Sequence, residues 1–158
     1  ATLTTSITFR TLTRDDLPVA TEIIDATEMF PSAMLYEMAA PFFDDNDTED
    51  LWLGACTEQP VAIAYCLPER MTDGTGKLLL IAVSTKCQGL GVGKQFMTFL
   101  EQQIQAMSGR ILLVETSGLP EYTLTRNFYP QCGYAQVACI PEFYEAGDDK
   151  IVFLKKLT

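Results

Sequence analysis

Histidine is absent from the 158 residues. That excludes a Ser–His or Cys–His nucleophilic pair built from this chain alone. It excludes the His-based zinc hydrolase sites as well. Any proton transfer must fall to a carboxylate, Tyr, Lys, Cys, backbone or water. Paired cysteine motifs are also missing. Cys56, Cys66, Cys87, Cys132 and Cys139 make an odd set with no C-x-x-C pair. Free thiols in a reducing cytoplasm are the simplest reading, and a metal site is not expected at these spacings.

Long apolar runs are lacking too. None exceeds seven residues, so nothing is expected to span a membrane. The opening ATLTTSITFR has no apolar h-region and does not read as a signal peptide. Positive charge is scarce: 11 Lys and Arg stand against 21 Asp and Glu, a net charge of −10. Nucleic-acid binding rests on phosphate neutralisation by Lys and Arg, so this balance argues against it. It leans toward a cationic or amine-bearing substrate through steering, although an acidic surface also serves solubility alone. The length suits one domain, 1–158, with one good core.

Against these absences, one stretch is dense in signal. Leu78 to Val83 is an unbroken apolar run, expected as a central strand buried on both faces. Ser84 to Gln88 breaks it. Gly89, Gly91 and Gly93 follow at alternate positions, then Lys94. Beyond them Phe96, Leu100, Ile104 and Met107 fall on one helical stripe, widened by Val92, Met97 and Phe99. A helix start leaves backbone N–H groups without intrahelical partners and carries partial positive charge. Glycines let an anion approach those groups closely. Gln88–Lys94 therefore reads as a phosphate or pyrophosphate site, with a purely structural tight turn as the plain alternative.

Spacing separates the common phosphate loops. The Walker pattern fails at Gln88 and Gln95, and the dinucleotide pattern fails at Lys94 or Phe96 in its two registers. The pattern Q/R-x-x-G-x-G/A fits without a gap as Gln88-Gly89-Leu90-Gly91-Val92-Gly93. In this the sequence resembles the pyrophosphate loop of the GNAT superfamily of acyl-CoA-dependent N-acyltransferases.

The rest of the chain reads as short alternating elements. Ile7–Leu12 is expected as a strand, and Thr13 with Asp16 as a capping box opening a helix toward Thr27. Met29–Phe43 is rich in Met and aromatics; Ser32 is placed as the cap of a second helix carrying Met34, Leu35 and Met38. That segment reads either as core packing or as a substrate-side wall that Met and aromatic side chains adapt. Asp44–Asp50 reads as a solvated acidic loop. Leu51–Cys56 and Val61–Leu67 form a hairpin, and Glu69–Lys77 a turn-rich connector. Gly109 caps the loop helix, Arg110–Thr116 is a strand, Tyr122–Gln131 a short helix ended by Cys132-Gly133, and Tyr134–Ile140 and Lys150–Leu157 the last strands. The order βααβββαβαββ makes an α/β fold with one mixed, twisted sheet of about seven strands flanked by helices. That order is the one the GNAT fold has.

A second segment, Asn127-Phe128-Tyr129-Pro130-Gln131-Cys132-Gly133-Tyr134, resembles the superfamily's late FYxxxGF motif, with Tyr in place of the final Phe. The resemblance implies that Tyr129 lies near the CoA sulfur and protonates the leaving thiolate. A phenol near pKa ~10 can supply a proton to a thiolate whose acid has a pKa of about 8.5. Taken alone, a buried Tyr is more often a core residue with a satisfied hydroxyl. Many members of the family carry, on the loop before this helix, an Asn that contacts pantetheine; Tyr122 stands at the nearest comparable spacing here, and Asn127, close to Tyr129, is in a different register. The central strand carries no Glu. Glu115, in VETSG, is the inner carboxylate available as general base, or else a structural acceptor for Ser117 or a backbone amide.

The resemblance implies acetyl or acyl transfer from acetyl-CoA to a primary amine, directly through a tetrahedral intermediate. The pyrophosphate would rest on Gln88–Lys94. The pantetheine would pair along Ala82, Val83 and Ser84 like an added strand, with an N–H at or beside Val83 holding the oxyanion. No covalent enzyme intermediate and no catalytic metal are needed. Glu28 and Glu37 are carboxylates that would face the amine, and homodimers are among the family's assemblies. The alternative is a protein of the same fold that senses acyl-CoA without turnover.

Overall fold

The computed structural model describes residues 6–27, 35–44 and 50–158. Its elements run β1 (Thr8–Thr11), α1 (Leu17–Thr27), α2 (Leu35–Asp44), β2 (Leu51–Cys56), β3 (Pro60–Pro68), β4 (Thr75–Val83), α3 (Val92–Ala106), β5 (Ile111–Ser117), α4 (Thr123–Gln131), β6 (Ala135–Glu145) and β7 (Asp148–Lys156). This is the order read from the sequence. The seven strands form a mixed sheet in the order β1-β2-β3-β4-β5-β7-β6. β4 and β5 pair in parallel, while β1–β2, β2–β3, β5–β7 and β6–β7 pair antiparallel. Two compact units divide the chain, Ala1–Leu67 with Leu80–Leu100 and Pro68–Leu79 with Glu101–Thr158. Glu28, Met29–Met34 with Ser32, and residues 45–49 of the acidic run lie outside the described residues.

In the first unit the expected capping box is formed. The Thr13 amide donates to the Asp16 carboxylate at 2.7 Å. One 3-10 turn, Arg14–Asp16, precedes the α-helix. Arg10 grips the same carboxylate through both terminal nitrogens, at 2.7 and 2.9 Å. The Arg10 hydrogen bonds hold the Asp16 carboxyl below its usual range. From that fixed start, Leu17, Ala20, Ile23 and Ile24 of α1 turn inward. They bury against Leu35 and Ala39 of α2, Trp52 of β2, Ile63 of β3, and Leu80 and Ala82 of β4. Burying a Leu or Ile side chain stabilises by roughly 1.5–3 kcal/mol, so this cluster contributes substantially to holding the unit together. Phe9 of β1 stacks on Phe99 of α3 with ring centroids 5.0 Å apart.

β4 corrects two expectations. It begins at Thr75 rather than Leu78, so Lys77 belongs to the strand and not to a connector. Nor is it buried on both faces. Gly76, Leu78, Leu80 and Ala82 are buried, while Lys77, Leu79, Ile81 and Val83 face a partly open side, Leu79 being 40% exposed. An all-apolar run hides this period of two, because both faces carry apolar side chains.

The end of α3 corrects two more. Met107 lies past the helix and is 45% exposed, so the buried stripe ends at Ile104. The left-handed residue is Ser108 (φ 66°), not Gly109. The Ser108 and Gly109 amides donate to the carbonyls of Gln105 and Ile104, at 2.9 and 2.8 Å, as in a Schellman ending. Gly109 is needed for closeness: a Cβ there would stand 2.3 Å from Ile104 Cγ2 and 2.6 Å from its carbonyl oxygen. Gly109→Ala is therefore expected to destabilise by about 2 kcal/mol in urea unfolding. An unchanged midpoint would mean that the helix end shifts freely.

β6 and β7 are longer than expected. They run on to Glu145 and back from Asp148 around Ala146-Gly147, with Gly147 at φ 82°. Pro141 and the acidic residues read as loop in sequence, but an exposed edge strand accommodates both. The Glu142 amide donates to Asp149 Oδ1 at 2.9 Å, and its carboxylate accepts from the Gly147 amide at 3.2 Å.

Candidate functional site

The candidates fall into two groups, one in each compact unit. In the first unit, β4 delivers Ala82, Val83 and Ser84 to the glycine loop. The Ser84 amide bonds the Val61 carbonyl at 2.7 Å, which fixes the strand end to β3. The Cys87 amide turns back to the Ser84 carbonyl at 2.9 Å, and the Cys87 side chain is buried. The Gln88 amide nitrogen donates to the Val83 carbonyl at 3.2 Å, so this side chain braces the loop from within. Val92 anchors the start of α3 in the core.

Between these anchors, Gly89 and Gly91 adopt φ 80° and 81°, and a Cβ on either would meet nothing within 4 Å. The backbone there is both left-handed and open. The helical bonding of α3 starts at the Gln95 amide, which donates to the Gly91 carbonyl at 3.2 Å. The amides of Val92, Gly93 and Lys94 therefore precede any intrahelical acceptor. Exposed Lys94 adds a full charge in the same first turn. Open glycines, orphan amides, a helix start and one ammonium form a donor set suited to a diphosphate. Leu90 is half-buried between the two glycines.

Close by in the same unit is a cavity of ≈ 540 Å³. Glu22 and Ala26 of α1, Glu58 of the β2–β3 turn, Pro60 at the start of β3, and Ser84 and Lys86 contribute to its lining. Sequence reasoning did not find it. Its carboxylates come from segments joined only by folding. Glu37 is exposed on the first turn of α2.

The second unit holds Glu115, Asn127 and Tyr129. Tyr129 is 3% exposed, its ring packed against Phe128 (5.4 Å), Phe153 (5.4 Å) and Tyr134 (6.1 Å). Asn127 is exposed on the same helix, and Tyr122 is half-buried one turn earlier. Glu115 is ion-paired on both oxygens: Lys150 Nζ contacts Oε1, and Lys77 Nζ lies 3.6 Å from Oε2. Lys77 is shared with Glu69 at 2.9 Å, and the Lys150 ammonium also stands 4.0 Å from the Phe143 ring centroid. Ser117, one of the donors considered for Glu115, gives its hydroxyl hydrogen bond to Asp148 Oδ1. Partial burial, with the nearby Glu115 and Asp148 carboxylates, pushes the Tyr144 phenol up to about 12. Lys77, Lys150 and Tyr144 escaped sequence reasoning because two of them lay in segments read as connectors.

Among the described residues no group of side chains has the makings of a metal site, and no helix is long and apolar enough to cross a membrane. The thiols of Cys56, Cys66, Cys87 and Cys139 are free.

Residues 47–136 match the acetyltransferase (GNAT) domain family, and the chain belongs to that family. An uncharacterized N-acetyltransferase of Methanocaldococcus jannaschii is 34% identical over 89 residues, a match spanning 54% of each protein, so the chain aligns with about half of that relative. Among solved structures, a GNAT-family protein from Desulfovibrio desulfuricans superposes with a TM-score of 0.89 at 26% identity, covering 97% of this chain and 100% of that one. The fold is shared with an aminoglycoside 6'-N-acetyltransferase complexed with coenzyme A (TM-score 0.77, 15% identity, 96% and 97% covered). It is shared too with the ribosomal-protein-S18-alanine N-acetyltransferase of Escherichia coli (TM-score 0.72, 18% identity, 97% and 95% covered).

Proposed function

We propose that this chain, acting as one N-acyltransferase domain over 1–158, moves an acetyl group from acetyl-CoA to a primary amine. The observation that carries the reading is the open, left-handed backbone at Gly89 and Gly91 in front of the unpaired amides of α3. Gln88, Gly89, Leu90, Gly91, Val92, Gly93 and Lys94 would hold the diphosphate. The β4 segment Ala82, Val83 and Ser84 would pair with the pantetheine amides, with Asn127 a further contact. An amide at or beside Val83 would donate to the thioester oxygen, where negative charge builds as the amine attacks.

The acceptor must arrive as, or become, a neutral amine, because an ammonium has no free lone pair. The Glu22 and Glu58 carboxylates at the cavity of the first unit suit a cationic acceptor. For the proton acceptor, a water chain or another carboxylate is favoured over Glu115, whose two oxygens are already committed to Lys150 and Lys77. Tyr129 would give its phenolic proton to the departing thiolate and recover one from solvent. Bond to nitrogen forms, bond to sulfur breaks, and no metal or covalent enzyme species is required.

Free CoA thiol released from acetyl-CoA in the presence of spermidine, kanamycin or an alanine-initiated peptide tests the reading. Amine-dependent release is expected with at least one; release with none of a broad amine panel would reduce the chain to an acyl-CoA binder. Tyr129→Phe is expected to lower kcat about 100-fold at saturating amine, the usual scale of a lost general acid. Unchanged kcat would remove the phenol from the mechanism.

A further inference from the structure

The last turn of α4 is held by a side-chain network that the reaction as described does not use. The helix has nine residues and contains Pro130, which lacks an amide to give to the turn before it. A helix this short is marginal without outside support. Its start is tied by Arg126, whose Nη1 donates to the carbonyls of Ser117 and Leu119 at 2.9 and 2.8 Å. Its end is tied by Lys155 of β7, whose ammonium donates to the Cys132 carbonyl at 2.9 Å. A cation is favoured there, where the helix dipole is negative. The next residue, Gly133, has φ 93°, and a Cβ on it would stand 3.3 Å from Lys155 Cε and 3.4 Å from Nζ.

Glu101 of α3 completes the arrangement. One oxygen accepts from Lys155 Nζ at 2.8 Å and the other from the Tyr134 hydroxyl at 2.9 Å. Tyr134 is the residue whose amide donates to the Tyr129 carbonyl at 3.1 Å, beside that of Cys132 at 2.9 Å. Its ring also forms one wall around the Tyr129 ring. A single carboxylate thus fixes both the cap of the helix that carries Tyr129 and one face of its aromatic surround.

We infer that Glu101, acting through Tyr134 and Lys155, is a positioning residue that holds the Tyr129 phenol where it can deliver its proton. This rests on the role given to Tyr129 above. Glu101 touches neither substrate nor reacting atoms. Its loss would loosen the phenol and slow the step that uses the phenol's proton, while the glycine loop would keep its affinity for acetyl-CoA.

The test is a double-mutant cycle. Glu101→Gln, and separately Tyr134→Phe, are each expected to lower kcat about tenfold, with the KM for acetyl-CoA within about twofold of the parent. On a Tyr129→Phe background neither should lower kcat by more than about twofold, because the group they position is gone. Equal losses on both backgrounds, or no loss in the Tyr129-containing parent, would overturn the inference. Undiminished kcat in Tyr129→Phe itself would remove the donor, and the inference with it. A readout free of turnover is the spectrum of 13C-tyrosine-labelled protein. The Tyr129 ring signals should shift and broaden in Glu101→Gln and in Tyr134→Phe; signals unchanged in both folded variants would overturn the inference without any assay of activity.

Discussion

Gly91→Asp is expected to lower the affinity for acetyl-CoA by about a thousandfold. Gly91 sits at φ 81° with open space where a side chain would project, so the new carboxylate would stand where the proposal puts the diphosphate. Two like charges about 4 Å apart near a protein surface repel by about 4 kcal/mol, which is the thousandfold stated. Gly91→Ala separates charge from backbone conformation. Its methyl group meets no protein atom, so the cost to folding is the left-handed strain alone, about 1–2 kcal/mol. Its loss of affinity should be far smaller than that of the Asp variant. Calorimetric titration of both reads the difference directly. Native affinity in Gly91→Asp would take the loop out of the site.

Glu115→Ala is expected to destabilise the protein by about 3 kcal/mol or more. The carboxylate is 9% exposed and faces two ammoniums, Lys150 at 11% and Lys77 at 20% exposure. Building such a pair yields little net stability, but removing one partner leaves buried charge uncompensated. Lys77 retains Glu69 at 2.9 Å; Lys150 retains the Phe143 ring, 4.0 Å from its ammonium. The same variant decides between structure and catalysis at this position. A large drop in urea midpoint with kcat retained by the folded fraction is the expected result. Native stability with abolished turnover would make Glu115 the general base after all.

What the sequence disclosed, and what it hid, follows from how local each signal is. The loop was legible because glycine spacing, the preceding apolar run and the following helical stripe all lie within one continuous stretch. The capping box at Thr13 and Asp16 was legible for the same reason. The two-sided burial of β4 was misread because Leu79, Ile81 and Val83 are as apolar as their buried neighbours, and only the missing cover on one face distinguishes them. The helix end was displaced by one residue because Gly109 serves close packing while Ser108 takes the strained conformation. Glu115 was recognised as an inner carboxylate, but its partners come from β4 and β7, segments far apart in the chain. Tyr129 was found by motif, whereas Glu101, Tyr134 and Lys155 meet around its helix only once three elements are assembled.

The central claim is that the Gln88–Lys94 loop binds acetyl-CoA. It is tested most directly by thermal stability measured in parallel with acetyl-CoA, CoA, ATP and NAD. A ligand that binds only the folded state at about a hundred times its dissociation constant adds roughly 2.7 kcal/mol. For a chain of this size that is a rise in Tm of about 5–10 °C. The expected result is such a rise with acetyl-CoA and CoA, little with ATP or NAD, and its loss in Gly91→Asp. A rise with ATP or NAD alone, or the same rise in Gly91→Asp, would contradict the account.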